Sequence, residues 1–125
     1  MDQAVQHALE HDRLVDITTT GRKTGQSRRK EIAFHLVDGK LYLTGRPGRR
    51  GWYANLVAHP DFTFHLKQSL QRDVSARATP VTDKSMKRQV LQRIKALEGE
   101  RMRQLDVDEW TAGSPLVEVA LGPGS

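Results

Sequence analysis

Residues 14–45 read LVDITTTGRKTGQSRRKEIAFHLVDGKLYLTG, and the alternation within them decides the fold. Leu14–Thr20 is β-branched and alternating, which predicts a strand. GRKTG, residues 21–25, places two glycines four apart and punctuates the strand as a turn. In RRKEIAFHL, residues 28–36, Ile32, Phe34 and Leu36 share one face while Ala33 and His35 take the other. Asp38-Gly39 is a hairpin signal, and LYLTG, residues 41–45, returns as the next strand.

The same period of two recurs downstream. DFTFHLK (61–67) turns Phe62, Phe64 and Leu66 inward, QRDVSARATPV (71–81) turns Val74, Ala76 and Ala78 inward, and PLVEVAL (115–121) closes the series. Helical patterns flank them: MDQAVQHALEH (1–11) with Val5, Ala8 and Leu9 on one side, and WYANLVAHP (52–60), ended by Pro60. From Thr82 to Leu97 the period changes, with Met86, Val90, Leu91, Ile94 and Leu97 at helical spacing and Lys84, Lys87, Arg88 and Arg93 outside. GPGS, 122–125, reads as a loose tail. Six strands, mostly joined by hairpins, with two or three helices predict an antiparallel α+β fold, mainly β, closed as a small barrel. The strand–helix–strand alternation of a doubly wound sheet is lacking. At 125 residues the whole chain, 1–125, is expected to form one domain.

Hydrophobic residues make up 37% and charged residues 28%, a globular composition. Twenty Lys and Arg against fifteen Asp and Glu leave +5, which favours an anionic partner: nucleic acid, lipid headgroups or a phosphorylated small molecule. The absence of cysteine excludes disulfides, thiolate metal sites and a cysteine nucleophile. With no apolar leader and no apolar run near the roughly 20 residues that span a bilayer, the expectation is a cytoplasmic protein.

The charge is concentrated. Arg22, Lys23, Arg28, Arg29 and Lys30 gather around the first turn, and Arg46, Arg49 and Arg50 sit in a second glycine-rich turn, GRPGRRG. Converging amides in such a turn cradle an anion, and flanking Arg and Lys add charge and forked donors. Read alone, the first turn is equally a solvated hairpin. The phosphate loop of the Walker type is excluded, because the glycine it needs ahead of the lysine is missing. Both turns follow a strand, so a small barrel brings them to one end as a single anion site. Trp52 and Tyr53, at a helix start that favours negative charge, suit a ligand with a ring and a phosphate. One of the two aromatics is expected to anchor the core.

His7, Glu10 and His11 match an inverted zinc motif, His-x-x-Glu-His, but a catalytic metal there lacks walls and a downstream carboxylate, so no metal site is expected. His35 and His65 fall on the polar faces of their strands and read as surface or pocket-lining residues. Nucleic acid is disfavoured as a partner, with two Trp, two Tyr and three Phe in the chain and no reading helix or stacking platform.

With these motifs in place, ITTTGRKTGQSRR, the DGKLYL hairpin and WYANLVAHPDFTFHLK resemble the deazaflavin-dependent nitroreductase family of actinobacteria and relatives. The resemblance covers roughly residues 14–80, and Trp110 with PLVEVAL extends it more weakly to the end. It implies a split β-barrel of the FMN-binding, flavin-reductase type that binds coenzyme F420, a 5-deazaflavin carrying a phosphate and an oligoglutamate tail. By this likeness Arg22, Lys23, Thr24, Gly25, Gln26, Ser27 and Arg28 form the phosphate loop. Thr44, Gly45 and Arg46 line the cofactor from the second turn, and Trp52, Tyr53 and Asn55 contact it from the helix start. The implied activity is hydride transfer from reduced deazaflavin to a quinone, nitro compound or enone. Alternatives are a non-catalytic carrier of F420 or a lipid, an FMN-binding relative, and a basic nucleic-acid-binding module. Tyr42 and Tyr53 are the candidate proton donors, and a homodimer is expected by fold analogy. Two departures stand out: Arg46 replaces a lysine in a shortened second turn, and RQLDVDEW (103–110) has none of the tyrosines that a well-known nitroreductase of the family carries there. The likeness therefore speaks for the cofactor and not for the substrate.

Overall fold

The computed structural model describes residues 2–122. Six strands, β1 (Leu14–Thr20), β2 (Ser27–Val37), β3 (Lys40–Thr44), β4 (Asp61–Leu66), β5 (Arg72–Pro80) and β6 (Leu116–Leu121), form a barrel. They close in the order β1-β2-β3-β6-β5-β4 with every pair antiparallel. Closure leaves no open sheet edge. Asp38 and Gly39 both take positive φ, 51° and 80°, the backbone that a two-residue hairpin between right-twisted strands requires.

Helix α1 (Gln3–His11) closes one end of the barrel with Val5, Ala8 and Leu9, and α2 (Gly51–Ala58) closes the other with Trp52 and Leu56. Between them the barrel is filled by alternating residues such as Val15, Ile17, Phe34, Leu43, Phe64 and Val117. Phe34 and Phe64 meet edge to face at 5.8 Å. A second cluster lies outside, where α3 (Lys84–Glu98), α4 (Val107–Gly113) and the link between them cover part of the wall through Val90, Leu91, Ile94, Leu105 and Trp110.

Three features depart from the sequence reading. Among the described residues there are four α-helices and a 3-10 turn (Gly99–Met102) rather than two or three helices. The missed α4 carries its own signal, a capping pattern in which Asp106 accepts from the Glu109 amide at 2.9 Å. Met86 and Leu97 do not join the core and are 54% and 55% exposed, because only the middle of α3 faces its neighbours. His35 and His65 are not surface residues, at 5% and 7% exposure. Glu98 at the end of α3 closes over His35 (Nδ1 to Oε1, 3.0 Å), while His65 is held between Thr18 and Asp73, each at 2.7 Å. Burial shifts the His35 pKa below its ordinary value, with Glu98 pulling the other way. Past Gly122, the tail expected at 122–125 lies outside the described residues.

Candidate cofactor cleft

Strands β1 and β3 are both antiparallel to β2, so their ends, Thr20 and Thr44, emerge at the same end of the barrel. The two basic turns therefore share that end. The first turn is closed by its own backbone: Gly21 donates to the Gln26 carbonyl at 2.7 Å and Gly25 donates to the Gly21 carbonyl at 2.9 Å. Gly25 has a φ of 71°, and a Cβ at Gly21 would lie 2.7 Å from Thr24 Oγ1, so both positions demand glycine. Asn55 on α2 then pins the turn. Its Oδ1 accepts from the Arg22 amide at 3.0 Å and its Nδ2 donates to Thr19 Oγ1 at 3.0 Å.

Between this turn and α2 lies an open cleft of about 530 Å³. Arg22, Lys23, Arg28, Arg29 and Lys30 line it, together with Thr19, Gly21, Thr24, Gly51, Trp52 and Asn55. No carboxylate is among these residues. Of the five cations only Arg29 has an acidic partner among the described residues, Asp16 at 3.0 Å. The first helical hydrogen bond of α2 runs from the Ala54 amide to the Arg50 carbonyl, which leaves the Gly51–Tyr53 amides to the helix's positive end. The cleft offers converging cations, a hydroxyl (Thr24) and a flat indole edge, which is chemistry for a phosphorylated aromatic ligand.

The expected binding residues are thus partly gathered. Arg22, Lys23, Thr24, Arg28, Trp52 and Asn55 line the cleft, while Gly25, Gln26 and Ser27 form the turn behind them. Asn55 acts chiefly as a bracket. Thr44 is buried and donates to the Pro115 carbonyl at 2.6 Å. At Gly45 a Cβ would stand 3.9 Å from the Trp52 ring and 3.6 Å from Arg50 Nε, so this residue runs past the end of the indole. Arg46 is exposed on the second turn and does not line the cleft. Trp52 is the core anchor of the aromatic pair, and its ring meets Tyr53 edge-on at 6.1 Å. Tyr42 lies in the outer core cluster, where burial and then Glu118 push its phenol above the ordinary value. Thr19, Gly21, Arg29, Lys30 and Gly51 also line the cleft although the sequence-based binding set lacks them; the unbroken RRK run was the available signal for Arg29 and Lys30.

The second turn forms a neighbouring groove. It is docked by Gly48, whose amide donates to the Gly113 carbonyl at 3.0 Å. Arg49, Arg50 and Tyr53 line a hollow of about 460 Å³ with Lys87 and the segment 112–115. The two turns therefore make two adjoining pockets rather than one, with the Trp52–Tyr53 pair between them. The His7 and His11 rings stack at 4.0 Å, and among the described residues no group of three potential ligands surrounds a metal position.

The family model of F420H(2)-dependent quinone reductases matches residues 2–110. No curated protein matches the sequence. Among solved structures, a FAD-binding protein from Mesorhizobium loti superposes with a TM-score of 0.72 at 13% identity, covering 98% of this chain and 91% of its own. An F420 reductase superposes at 0.65 and 17%, covering 94% and 93%. HutZ, a heme storage protein from Vibrio cholerae, does so at 0.67 and 14%, covering 98% and 89%. At these identities the likeness is one of fold: the split barrel used by flavin-type proteins.

Proposed function

The chain belongs to the F420H(2)-dependent quinone reductase family, an F420-dependent oxidoreductase family, and on that premise we propose that it reduces a small organic acceptor by hydride transfer. The observation that carries this reading is the cleft of Arg22, Lys23, Arg28 and Lys30, four cations without an acidic partner among the described residues. That donor set fits the phosphate and the glutamate tail of F420. Arg22, Lys23, Thr24 and Arg28 hold the phosphate, and Gly21, Gly25 and Asn55 keep the turn in shape. Gln26 and Ser27 complete the phosphate loop, while Gly45 borders the ring with Trp52; Thr44, buried on the Pro115 carbonyl, only supports that edge. When bound, F420H2 supplies two electrons and a proton as hydride to a quinone, nitro compound or enone. The protein contributes position, electrostatics and exclusion of water. The acceptor takes its second proton from Tyr53 or from solvent reached along the groove that Tyr53 lines; Tyr42 is walled off in the outer core. By fold analogy the working form is a homodimer, and the cysteine-free chain fits the cytoplasm.

An FMN-binding relative is the second reading, favoured by the likeness to flavin-type barrels. Fluorescence titration with F420 and with FMN separates them. F420 should bind at least tenfold more tightly, since its tail adds carboxylates for the unpaired cations. Equal or tighter binding of FMN would reverse the cofactor assignment. Oxidation of F420H2 by a naphthoquinone then distinguishes an enzyme from a carrier.

A further inference from the structure

The groove beside the cleft has chemistry of its own. Its walls carry Arg49, Arg50 and Lys87, and none of the three has a carboxylate within 4.0 Å among the described residues. Lys87 is half-buried, and burial pushes its ammonium below the usual lysine value. A partly desolvated ammonium without a counter-charge carries a cost that an arriving anion relieves. Ser114, 3% exposed, lines the same groove, and its Oγ has no hydrogen-bond partner among the described residues. A buried hydroxyl left open is rare enough to call for a ligand oxygen or a bound water. The rest of the surface, Pro115, Ala112 and the Tyr53 ring, is apolar and suits a flat ring system.

We propose that this groove is the acceptor subsite and that it selects a planar acceptor bearing a carboxylate or sulfonate, held by Lys87 and Arg49. This rests on the cofactor reading above, because the groove gains its role from adjoining the F420 cleft across Trp52 and Tyr53.

The test is binding, measured apart from turnover. Protein saturated with oxidised F420, which cannot donate hydride, is titrated by calorimetry with 1,4-naphthoquinone-2-sulfonate and with unsubstituted 1,4-naphthoquinone. The sulfonate should bind about tenfold more tightly, the effect of one or two partly exposed ion pairs. In Lys87→Gln/Arg49→Gln the preference should vanish while the affinity for the neutral quinone and for F420 stays within twofold. Both side chains reach solvent, so the variant keeps its fold, checked by an unchanged Tm. Equal affinity for the two quinones, or a preference that survives the double variant, overturns the proposal. So does displacement of F420 fluorescence by the sulfonate, which would assign these cations to the cofactor's tail. If F420 itself fails to bind, the cofactor reading fails separately. The groove is then judged on the free protein, where the preference must fall with Lys87→Gln/Arg49→Gln and not with Lys23→Ala/Arg28→Ala.

Discussion

The outer face of β1, β4 and β5 and the turn end of the same barrel are both rich in Lys and Arg, yet the two regions treat their charge differently. On the outer face Lys67 bonds both Asp16 and Glu31, and Arg77 bonds Asp61. Across the described residues, eight of the twelve cations outside the two basic turns have a carboxylate within 4.0 Å, from Arg13 on Glu98 to Arg103 on Glu100. Within the turns only Arg29 does, among eight. A solvated face scatters acids among its bases. A face left uncompensated, with Asn55 spent on holding its loop in place, is what the proposed anionic cofactor calls for. Net charge alone would not reveal this; the partition of ion pairs does.

The largest effect should come from removing the cradle. Each charge-assisted hydrogen bond to the phosphate contributes about 1.5–3 kcal/mol, so Lys23→Ala/Arg28→Ala should weaken F420 binding about a hundredfold or more. Lys67→Ala/Arg77→Ala, which strips the compensated face, should change it less than twofold in the same fluorescence titration. Comparable losses from both pairs would erase the distinction between the regions.

A smaller effect is expected at the bracket. Asn55→Ala loses two hydrogen bonds, to the Arg22 amide and Thr19, worth about 1 kcal/mol each. F420 affinity should fall about tenfold and thermal unfolding should shift down by several degrees. An unchanged affinity with lowered stability would mean that the turn keeps its shape without the bracket.

The smallest effect on binding, and a distinct one on stability, belongs to His35. It sits eight residues along β2 from Ser27, roughly 26 Å from the basic turn at strand spacing. Burial favours its neutral form, so the unfolded chain binds the proton more readily than the folded one. Stability is therefore full above the unfolded value near 6.5 and is lost as pH falls from there through the lowered folded pKa, at no more than about 1.4 kcal/mol per pH unit. Urea unfolding between pH 7.5 and 5 should show this slope, and His35→Gln should flatten it. Its effect on F420 affinity should be negligible.

Much of this was legible in the sequence, for identifiable reasons. Leu14–Thr20 and the Asp38-Gly39 hairpin announce themselves because period-two alternation and positive-φ turn residues are local signals. The first basic turn is legible because its glycines and cations are contiguous. What escaped depends on contacts between distant residues. Nothing near Asn55 tells that its amide bridges Thr19 and Arg22, and nothing near His35 tells that Glu98, far along the chain, buries it. The splitting of the two basic turns into separate pockets follows from docking of Gly48 on Gly113, a pairing no local pattern encodes. Likewise Met86 and Leu97 fit the helical period but fall beyond the stretch of α3 that has a partner.

Mapping amide chemical shifts in nitrogen-15-labelled protein as F420 is added tests the central claim most directly. The shifts should concentrate in residues 19–30 and 45–55 and leave β4, β5 and their outward ion pairs unmoved. Shifts centred instead on the outer face of β1, β4 and β5, or on the α1 end of the barrel, would contradict the proposal that the cleft between the first basic turn and α2 is the cofactor site.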